Sequence, residues 1–276
     1  MKQAFFLFAF ASTIIWAREP VPEKLVVLTF DDSVKSHYTI ARPILKELGF
    51  GATFFITEGW DFATNKEHYM SWEEIKGLHD AGFEIGNHTR DHMGVKPGNV
   101  NKRSEQLAAI EVQCAKHGIP KPVSFAWPGN AITEKAFPIL AQHGIRWARR
   151  GGSPEYPYKL GRGPAYEPGL DHPLFLPTAA DARPFWNLDA FIERVKAVPE
   201  GKIAILQFHG VPDIAHPWVS SKADKFEQYM RWLKTNGYTV ISVRDLDRYV
   251  DSSLVPDDPR AIMEARTQAL SNPTTP

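Results

Sequence analysis

The sequence predicts an α/β fold, a distorted (β/α) barrel of about seven units that is TIM-like in plan. Short apolar runs alternate along the chain with amphipathic stretches. Repeated strand, helix, glycine and strand is the pattern of parallel βα units. A doubly wound open sheet is the alternative, although no phosphate-binding glycine pattern follows the first strand. Glycines stand where helices would end, at Gly49, Gly82, Gly118, Gly144 and Gly237.

The predicted strands are short apolar runs, and the predicted helices between them carry apolar residues at helical spacing. In chain order the strands span residues 25–30, 52–56, 83–86, 123–126, 145–148, 202–208 and 238–243. The helices span residues 39–48, 72–81, 100–117, 133–143, 188–198 and 225–236. This alternation is what a barrel of about seven units requires.

The beginning of the chain is typical of a secretory signal. Met1-Lys2 is followed by an uncharged apolar run from Ala4 to Ala17, shorter than the roughly 20 residues of a spanning helix. Residues 1–17 are therefore a predicted signal peptide, with an uncleaved anchor as the alternative. We expect a secreted or periplasmic protein with no stable membrane span after cleavage.

Residues 18–250 form the predicted main domain, and residues 251–276 a peripheral tail with one helix over 259–270. The segment from Gly151 to Trp186 is rich in Pro, Gly and aromatic residues. Irregular segments of this length are commonly functional, and we expect this one to cover one side of a cleft.

Composition excludes some partners. Acidic and basic side chains number 32 each, so no basic excess exists to bind the phosphates of a nucleic acid. Cys114 is the single cysteine and cannot form an internal disulfide. It falls in a predicted helix, where a small buried apolar side chain is the simplest interpretation.

Polar side chains follow three different predicted strands. Asp31 and Asp32 follow the first, His88 follows the third, and His209 comes directly after the strand over 202–208. In a parallel barrel, side chains at the carboxyl ends of the strands converge on one mouth. These residues are therefore candidates for one site.

His88 and His92 are four residues apart, a spacing that on a helical turn lets both imidazoles bind one ion. Adjacent carboxylates at a strand end are costly unless a cation or hydrogen bonds compensate them. We expect one of Asp31 and Asp32 to face the metal and the other the substrate; a pair of acids at a helix N-terminus is the alternative. His209 is either a core histidine or a proton donor.

Two histidines and one carboxylate are also the ligand set of the non-haem iron oxygenases. Those enzymes usually have antiparallel double-sheet folds, whereas this chain alternates strands and helices, and this favours hydrolysis over oxygen activation.

Three segments resemble the polysaccharide deacetylases (carbohydrate esterase family 4). Thr29-Phe30-Asp31-Asp32, the His88 and His92 pair, and Leu206-Gln207-Phe208-His209 look like the first, second and fifth motifs of that family. They occur in the family's order. The resemblance implies a distorted (β/α) barrel and a metal-dependent hydrolase that removes N-acetyl groups from a sugar or polysaccharide.

The resemblance also implies residue roles. Asp31 would be the general base and His209 the acid that protonates the leaving amine. A divalent ion, commonly Zn²⁺, would be held by Asp32, His88 and His92. The substrate contacts it implies are Leu206 in the acetyl pocket and Trp127, Pro128 and Gly129 in the third motif.

Two departures from the family pattern stand out. Ala126 occupies the position at which the third motif commonly has an arginine that orients the base, and Arg149 or Arg150 could substitute for it. The fourth motif, an aspartate with a nearby tryptophan, is not clearly present. Its candidates are Asp171, Asp181 and Trp186.

Other functions on the same fold remain open at this point. Relatives hydrolyse cyclic imides, ureides or formamides, and a non-catalytic carbohydrate-binding protein is a further alternative. His216 and Trp218 are candidates for the rim of the site. Histidines in predicted helices and loops, His37 among them, are expected at the surface.

Overall fold

The computed structural model describes residues 18–96 and 98–272, so the predicted signal peptide lies outside the described residues. The strands are β1 Leu25–Phe30, β2 Thr53–Ile56, β3 Glu84–Asn87, β4 Ser124–Ala126, β5 Trp147–Arg149, β6 Ala180–Asp181, β7 Ala204–Phe208 and β8 Thr239–Ile241. The α-helices are α1 Arg42–Leu48, α2 Trp72–Asp80, α3 Arg103–Lys116, α4 Phe137–Gln142, α5 Leu188–Lys196, α6 Ala223–Thr235 and α7 Ala261–Ser271. The distorted (β/α) barrel is confirmed.

All strand pairs in the described chain are parallel, in the order β5-β4-β3-β2-β1-β7-β6. β8 pairs with the beginning of β1, while β2 pairs with Thr29 and Phe30 at its end. Leu176 forms a parallel bridge to Arg149, and β6 pairs with β7. The segment from Leu176 to Asp181 therefore contacts both ends of the curved sheet and completes the barrel.

Alternate residues of each strand belong to different core clusters. Leu25 and Val27 of β1 pack inside the barrel, whereas Val26, Leu28 and Phe30 pack under the surrounding helices. Each fully buried side chain of this size contributes about 1.5–3 kcal/mol by leaving water. This alternation also decides which residues reach the mouth.

Local sequence explains where helices begin and end. Ser71 and Glu74 form a reciprocal capping box at the start of α2. The predicted terminal glycines all have positive φ: Gly49, Gly82, Gly118, Gly144 and Gly237. They adopt the left-handed conformation expected after a helix.

Buried ion pairs hold the segment that follows β5 in place. Arg150 binds Glu155 with 0% exposure of both side chains. From α7, Arg266 donates to both oxygens of Asp171 at 2.8 Å. Met263 of the same helix is buried in the core. The carboxyl-terminal helix therefore clamps this segment against the barrel.

Two expectations about single residues have different outcomes. Cys114 is buried, as predicted. His37 is also fully buried, packed between Phe30 and Phe54, so its predicted surface position is wrong. The reason is that the chain before α1 forms a π-helical turn, His37–Ala41, which directs this ring into the core. None of the helices in the described residues is long and apolar enough to span a bilayer.

Candidate metal and acid–base site

The inward-facing alternation of the strands brings a carboxylate and an arginine together at the mouth. Asp31 continues the inward face of β1, and Arg149 the inward face of β5. Nη2 of Arg149 donates to both oxygens of Asp31, at 2.6 Å and 2.5 Å. Gln207 of β7 donates to one of them at 3.0 Å. Asp31 is therefore a buried carboxylate fixed from two other strands.

The structure brings Asp32, His88 and His92 together as predicted. Oδ1 of Asp32 lies 3.3 Å from Nε2 of His88 and 3.5 Å from Nε2 of His92. One ligand atom from each residue lies within 4.8 Å of the other two. Oδ1 of Asp32 is buried and has no hydrogen-bond partner among the described residues. A buried acceptor beside two imidazoles fits a divalent cation such as Zn²⁺.

Hydrogen bonds orient the two histidines. Nδ1 of His88 lies 2.8 Å from the carbonyl oxygen of Ala126, which fixes the proton on Nδ1 and leaves Nε2 free. The hydroxyl of Thr57 accepts from the backbone N–H of His92 at 3.0 Å and of Gly59 at 3.2 Å. It donates to the carbonyl of Arg90. One buried hydroxyl thus joins the two loops around His92.

The backbone at the mouth is strained. Asp32 has φ 77° and His92 has φ 49°. Every non-glycine residue with positive φ in the described ranges lies in these loops: Asp32, Ser33, Trp60, Thr89, His92 and Asn130. Such conformations cost on the order of 1–3 kcal/mol each and concentrate at functional sites.

The pKa shifts of Asp32 and His92 favour the protonation states that bind a cation. Burial opposes ionisation of Asp32, but the nearby imidazoles of His88, His209 and His92 hold its pKa well below the usual value. Burial, together with the neighbouring His88, lowers the pKa of His92 to about 4. An ionised carboxylate beside a neutral imidazole is the state that binds metal.

His209 stands between two carboxylates. Its Nε2 lies 3.7 Å from Asp32, and its Nδ1 lies 3.9 Å from Asp181. Asp181 pairs with Arg183 at 2.6 Å, and burial raises the pKa of its carboxyl. Of the candidates for the fourth motif, Asp181 is the one beside the site.

The other two fourth-motif candidates lie elsewhere. Asp171 pairs with Arg266 on α7. Trp186 is buried, and its carbonyl accepts from the hydroxyl of Tyr229. Neither lines the cleft at Asp31.

Arg149 lies next to the position at which the third motif commonly has an arginine. Ala126 of β4 pairs with Arg149 of β5, so a guanidinium one strand away supplies the contact to Asp31. Arg150 faces outward to Glu155 instead. Of the two predicted substitutes, only Arg149 reaches the site.

A cleft of about 240 Å³ is lined by Asp31, Asp32, His88, His92 and His209. Of the predicted substrate contacts, Trp127 and Gly129 line it. Pro128 is buried beside the cleft and does not line it.

Leu206, the residue predicted for the acetyl pocket, does not line the cleft. Leu206 points outward and packs under the helices, because it has the opposite parity to His209 along the strand. Gln207 takes the inward position from β7 and lines the cleft. Counting two residues back from His209 could have found it.

Sequence patterns gave no signal for several lining residues. Trp60 and Tyr158 lie in segments without periodicity, and Asn130 follows the third-motif stretch. Their side chains reach the cleft only because loops fold over the barrel mouth.

Comparison with known proteins identifies relatives of this chain. Residues 18–148 match the family described as Polysaccharide deacetylase. The chain is 24% identical over 137 residues to the poly-beta-1,6-N-acetyl-D-glucosamine N-deacetylase of Staphylococcus epidermidis, covering 46% of this chain and 47% of the relative. It is 27% identical over 128 residues to the peptidoglycan-N-acetylglucosamine deacetylase of Bacillus cereus, covering 46% and 56%. The chain thus spans about half the length of these two relatives. It is also 29% identical over 92 residues to the poly-beta-1,6-N-acetyl-D-glucosamine N-deacetylase of Escherichia coli, covering 28% of this chain and 14% of the relative.

Solved structures share the fold. A family 4 carbohydrate esterase from Streptomyces lividans superposes with a TM-score of 0.53 at 17% identity, covering 80% of this chain and 94% of that one. A family 4 carbohydrate esterase from Bacillus subtilis gives 0.54 at 20% identity, covering 82% and 81%. A pseudoenzyme of the same family from Bacillus anthracis gives 0.55 at 18% identity, covering 85% and 71%. Residues 18–148 therefore belong by sequence to the polysaccharide deacetylase family, and the described chain has the fold of the family 4 carbohydrate esterases.

Proposed function

We propose that this protein is a metal-dependent hydrolase that removes N-acetyl groups from a sugar or polysaccharide. The observation that carries the proposal is the single constellation at the mouth. Two imidazole nitrogens and a carboxylate oxygen converge there beside the buried Asp31–Arg149 pair and His209.

Asp31 is the proposed base. Its carboxylate is held by Arg149 and Gln207, so its orientation is fixed toward the neighbouring ligand cluster. A water molecule that attacks the acyl carbon would transfer its proton to Asp31. A divalent ion held by Asp32, His88 and His92 would polarise the acyl carbonyl and lower the pKa of a bound water.

His209 is the proposed acid. The amide C–N bond can break only when the leaving nitrogen gains a proton, and His209 stands on the opposite side of Asp32 from the other histidines. Nδ1 of His209 faces Asp181 at 3.9 Å, and Nε2 faces Asp32 at 3.7 Å, on the side of the cleft. The products are acetate and a free amine.

The substrate class follows from the relatives, which are named as deacetylases of N-acetylglucosamine polymers and peptidoglycan. We propose a cell-envelope or extracellular glycan as the substrate. A secreted or periplasmic location, as the amino-terminal residues predict, agrees with such a substrate.

The test is acetate release from N-acetylglucosamine oligomers by the purified full chain, stripped of metal and then reloaded with Zn²⁺. We expect release only from the reloaded protein. Asp31→Asn keeps the shape of the side chain and should lower release by about 10²-fold or more. Asp80→Asn, on the exposed surface of α2, is the matched control and should retain full release.

Metal content is measured on the same samples. Zinc bound by wild type and Asp31→Asn, but not by His88→Ala, would support the assigned ligands. Zinc bound without acetate release from any oligomer would overturn the deacetylase assignment and favour another amide, a cyclic imide or a formamide. Protein that binds no metal would overturn the metal site itself.

A further inference from the structure

Aromatic side chains extend the cleft beyond the metal ligands. Trp60 lies with its ring centroid 4.5 Å from that of His92 and 4.8 Å from that of His216. His216 is in turn 5.4 Å from Trp218. Trp60 is 48% exposed and Trp218 is 59% exposed. Two large apolar rings thus remain in water in a continuous row that begins at a metal ligand.

Both tryptophans are held by rigid surroundings. Trp60 stacks on the buried Tyr69 with an interplanar angle of 10°. The loop that carries Trp218 is closed by a hydrogen bond from Ser221 N–H to the Gly210 carbonyl. Preorganised aromatic rings lose little conformational entropy when a ligand stacks on them.

The same loop is pinned from inside. Asp213, whose side chain is fully buried, accepts from the backbone N–H of His216 at 2.8 Å. Ser36 donates to the carbonyl of Pro212 and accepts from the N–H of Val211. Val219, next to Trp218, is itself buried. The backbone of the loop that carries exposed Trp218 is therefore held in place by buried contacts on both sides of it.

The charge of the cleft indicates what kind of ligand these rings receive. Its lining contains no Lys, Arg or Glu among the described residues, and Asp31 is already paired with Arg149. Outside the proposed metal site, the lining therefore offers no lysine, arginine or glutamate to pair with a charged ligand. Pyranose rings present apolar C–H faces that stack on indole, and N-acetylated sugars are neutral.

We propose that Trp60 and Trp218 are stacking subsites for successive sugar rings of a neutral N-acetylated glycan. Trp60 contacts the sugar that carries the reacting acetamide, and Trp218 contacts the neighbouring sugar. The protein is therefore selective for oligomers and polymers over a single N-acetyl sugar. This inference rests on the proposed function and adds the length of the substrate to it.

Kinetics test the inference with N-acetylglucosamine and its β-1,4- and β-1,6-linked tetramers. Trp218→Ala should raise KM for the preferred tetramer about tenfold, with kcat little changed. The kinetics on the monosaccharide should stay as in wild type. Trp218→Phe keeps a ring and should retain most of the affinity. An equal effect of Trp218→Ala on monomer and tetramer would overturn the proposal.

Equilibrium binding separates this proposal from the proposed function. Calorimetric titration of the tetramers into wild-type protein and Trp218→Ala requires no turnover. Weaker binding by the variant would support the subsite even if no acetate is released from any substrate. Equal binding by both proteins would overturn it.

A second copy of the chain is the other possible occupant of this surface. Light scattering of both proteins tests for it. A wild-type dimer that Trp218→Ala converts to a monomer would overturn the glycan subsite, and a monomer in both cases agrees with it.

Discussion

At the scale of single residues, the orientation of Asp31 depends on an arginine from the far side of the barrel. Arg149 is fully buried and touches Asp31 through Nη2 only. The ring of Phe55 lies under its guanidinium, 5.6 Å away. Asp31 and Arg149 come from strands that are not neighbours, so the contact exists only when the sheet is curled.

We predict that Arg149→Ala lowers acetate release by about 10²-fold or more while metal content stays that of wild type. The reason is that Asp31 loses the contact that orients it, whereas the metal ligands keep theirs. Because the change leaves a buried charge unpaired, a loss of about 3–5 kcal/mol of stability should accompany it. Assays therefore need a temperature at which circular dichroism shows folded protein.

Adding Ala126→Arg to Arg149→Ala is the matched rescue. Ala126 is the register neighbour of Arg149, so an arginine there should restore part of the activity. An Arg149→Ala variant that is folded and fully active would contradict the positioning role.

A second residue-scale prediction concerns Thr57. Thr57→Val preserves the shape of the side chain and removes the hydroxyl that binds the N–H groups of His92 and Gly59. Loss of such an orienting contact weakens metal binding by about 10–100-fold. Competition with a fluorescent zinc chelator measures the affinity.

Thr64→Val is the control for Thr57→Val, because Thr64 is exposed and its hydroxyl donates to the carbonyl of Asp61 and not to the loop of His92. Equal zinc affinity of wild type, Thr57→Val and Thr64→Val would show that the hydroxyl does not orient His92.

Residue identity at the mouth was predictable where strand ends carry unusual polar residues. Asp31, Asp32, His88 and His209 stand out because charged or titratable groups at the ends of apolar strands need a reason to be there. Gln207 does not stand out, since only strand parity separates it from Leu206. The sequence alone offers both Arg149 and Arg150 as the partner of Asp31, because adjacent residues point in opposite directions and the sequence does not show which is inward.

At the scale of elements, the contact between α7 and the segment after β5 carries a testable energy. Arg266→Ala leaves the buried carboxylate of Asp171 without its partner. We predict a loss of about 3 kcal/mol or more in the free energy of unfolding. Urea denaturation followed by tryptophan fluorescence measures it.

Arg260→Ala is the matched control for Arg266→Ala. Arg260, at the start of the same helix, pairs with Glu134 where both side chains are over 30% exposed, and such pairs contribute about 1 kcal/mol or less. Equal destabilisation by both changes would contradict a clamp centred on Asp171.

The regular elements were predictable from periodicity, and the irregular ones were not. β1 has the predicted bounds, and the other predicted strands differ by a few residues at their ends. β6 was missed because it has two residues, Ala180–Asp181, too few for a period to appear. Its pairing with β7 comes from closure of the barrel, a long-range contact that local patterns do not encode.

At the scale of the whole molecule, buried neutral histidines make stability depend on pH. Burial lowers the pKa of His37 from 6.5 to about 4. The unfolded chain therefore binds a proton that the folded chain does not between these values. The contribution is present above pH 6.5 and is lost as the pH falls toward 4.

For the metal-free protein we predict that the free energy of unfolding falls by about 3 kcal/mol through His37 alone across this range. Urea titrations at a pH of roughly 7 and roughly 4.5 measure most of the change. His37→Gln has no group that titrates there and should show a smaller decrease. The same decrease in both proteins would mean that His37 is protonated in the folded state.

The barrel architecture as a whole followed from alternation of strands and helices, but its irregularity did not. β1 pairs with both β2 and β8 along one length, and a short bridge at Leu176 joins the ends of the sheet. These features depend on how twisted strands meet around a ring, which the sequence of any one strand does not determine.

The neighbouring positions of Ala126 and Arg149 also affect how relatives of this chain are sorted into active and inactive. A motif search compares columns of an alignment, and at the third-motif position this protein has Ala126 in place of the arginine that the resemblance implies. The adjacent strand provides a guanidinium in the same register, that of Arg149, and this group contacts Asp31. A search for the arginine that contacts the proposed base should therefore include inward-facing residues of the adjacent strand at the same level. Sequences that lack the third-motif arginine should be inspected for an arginine at the paired position of the neighbouring strand.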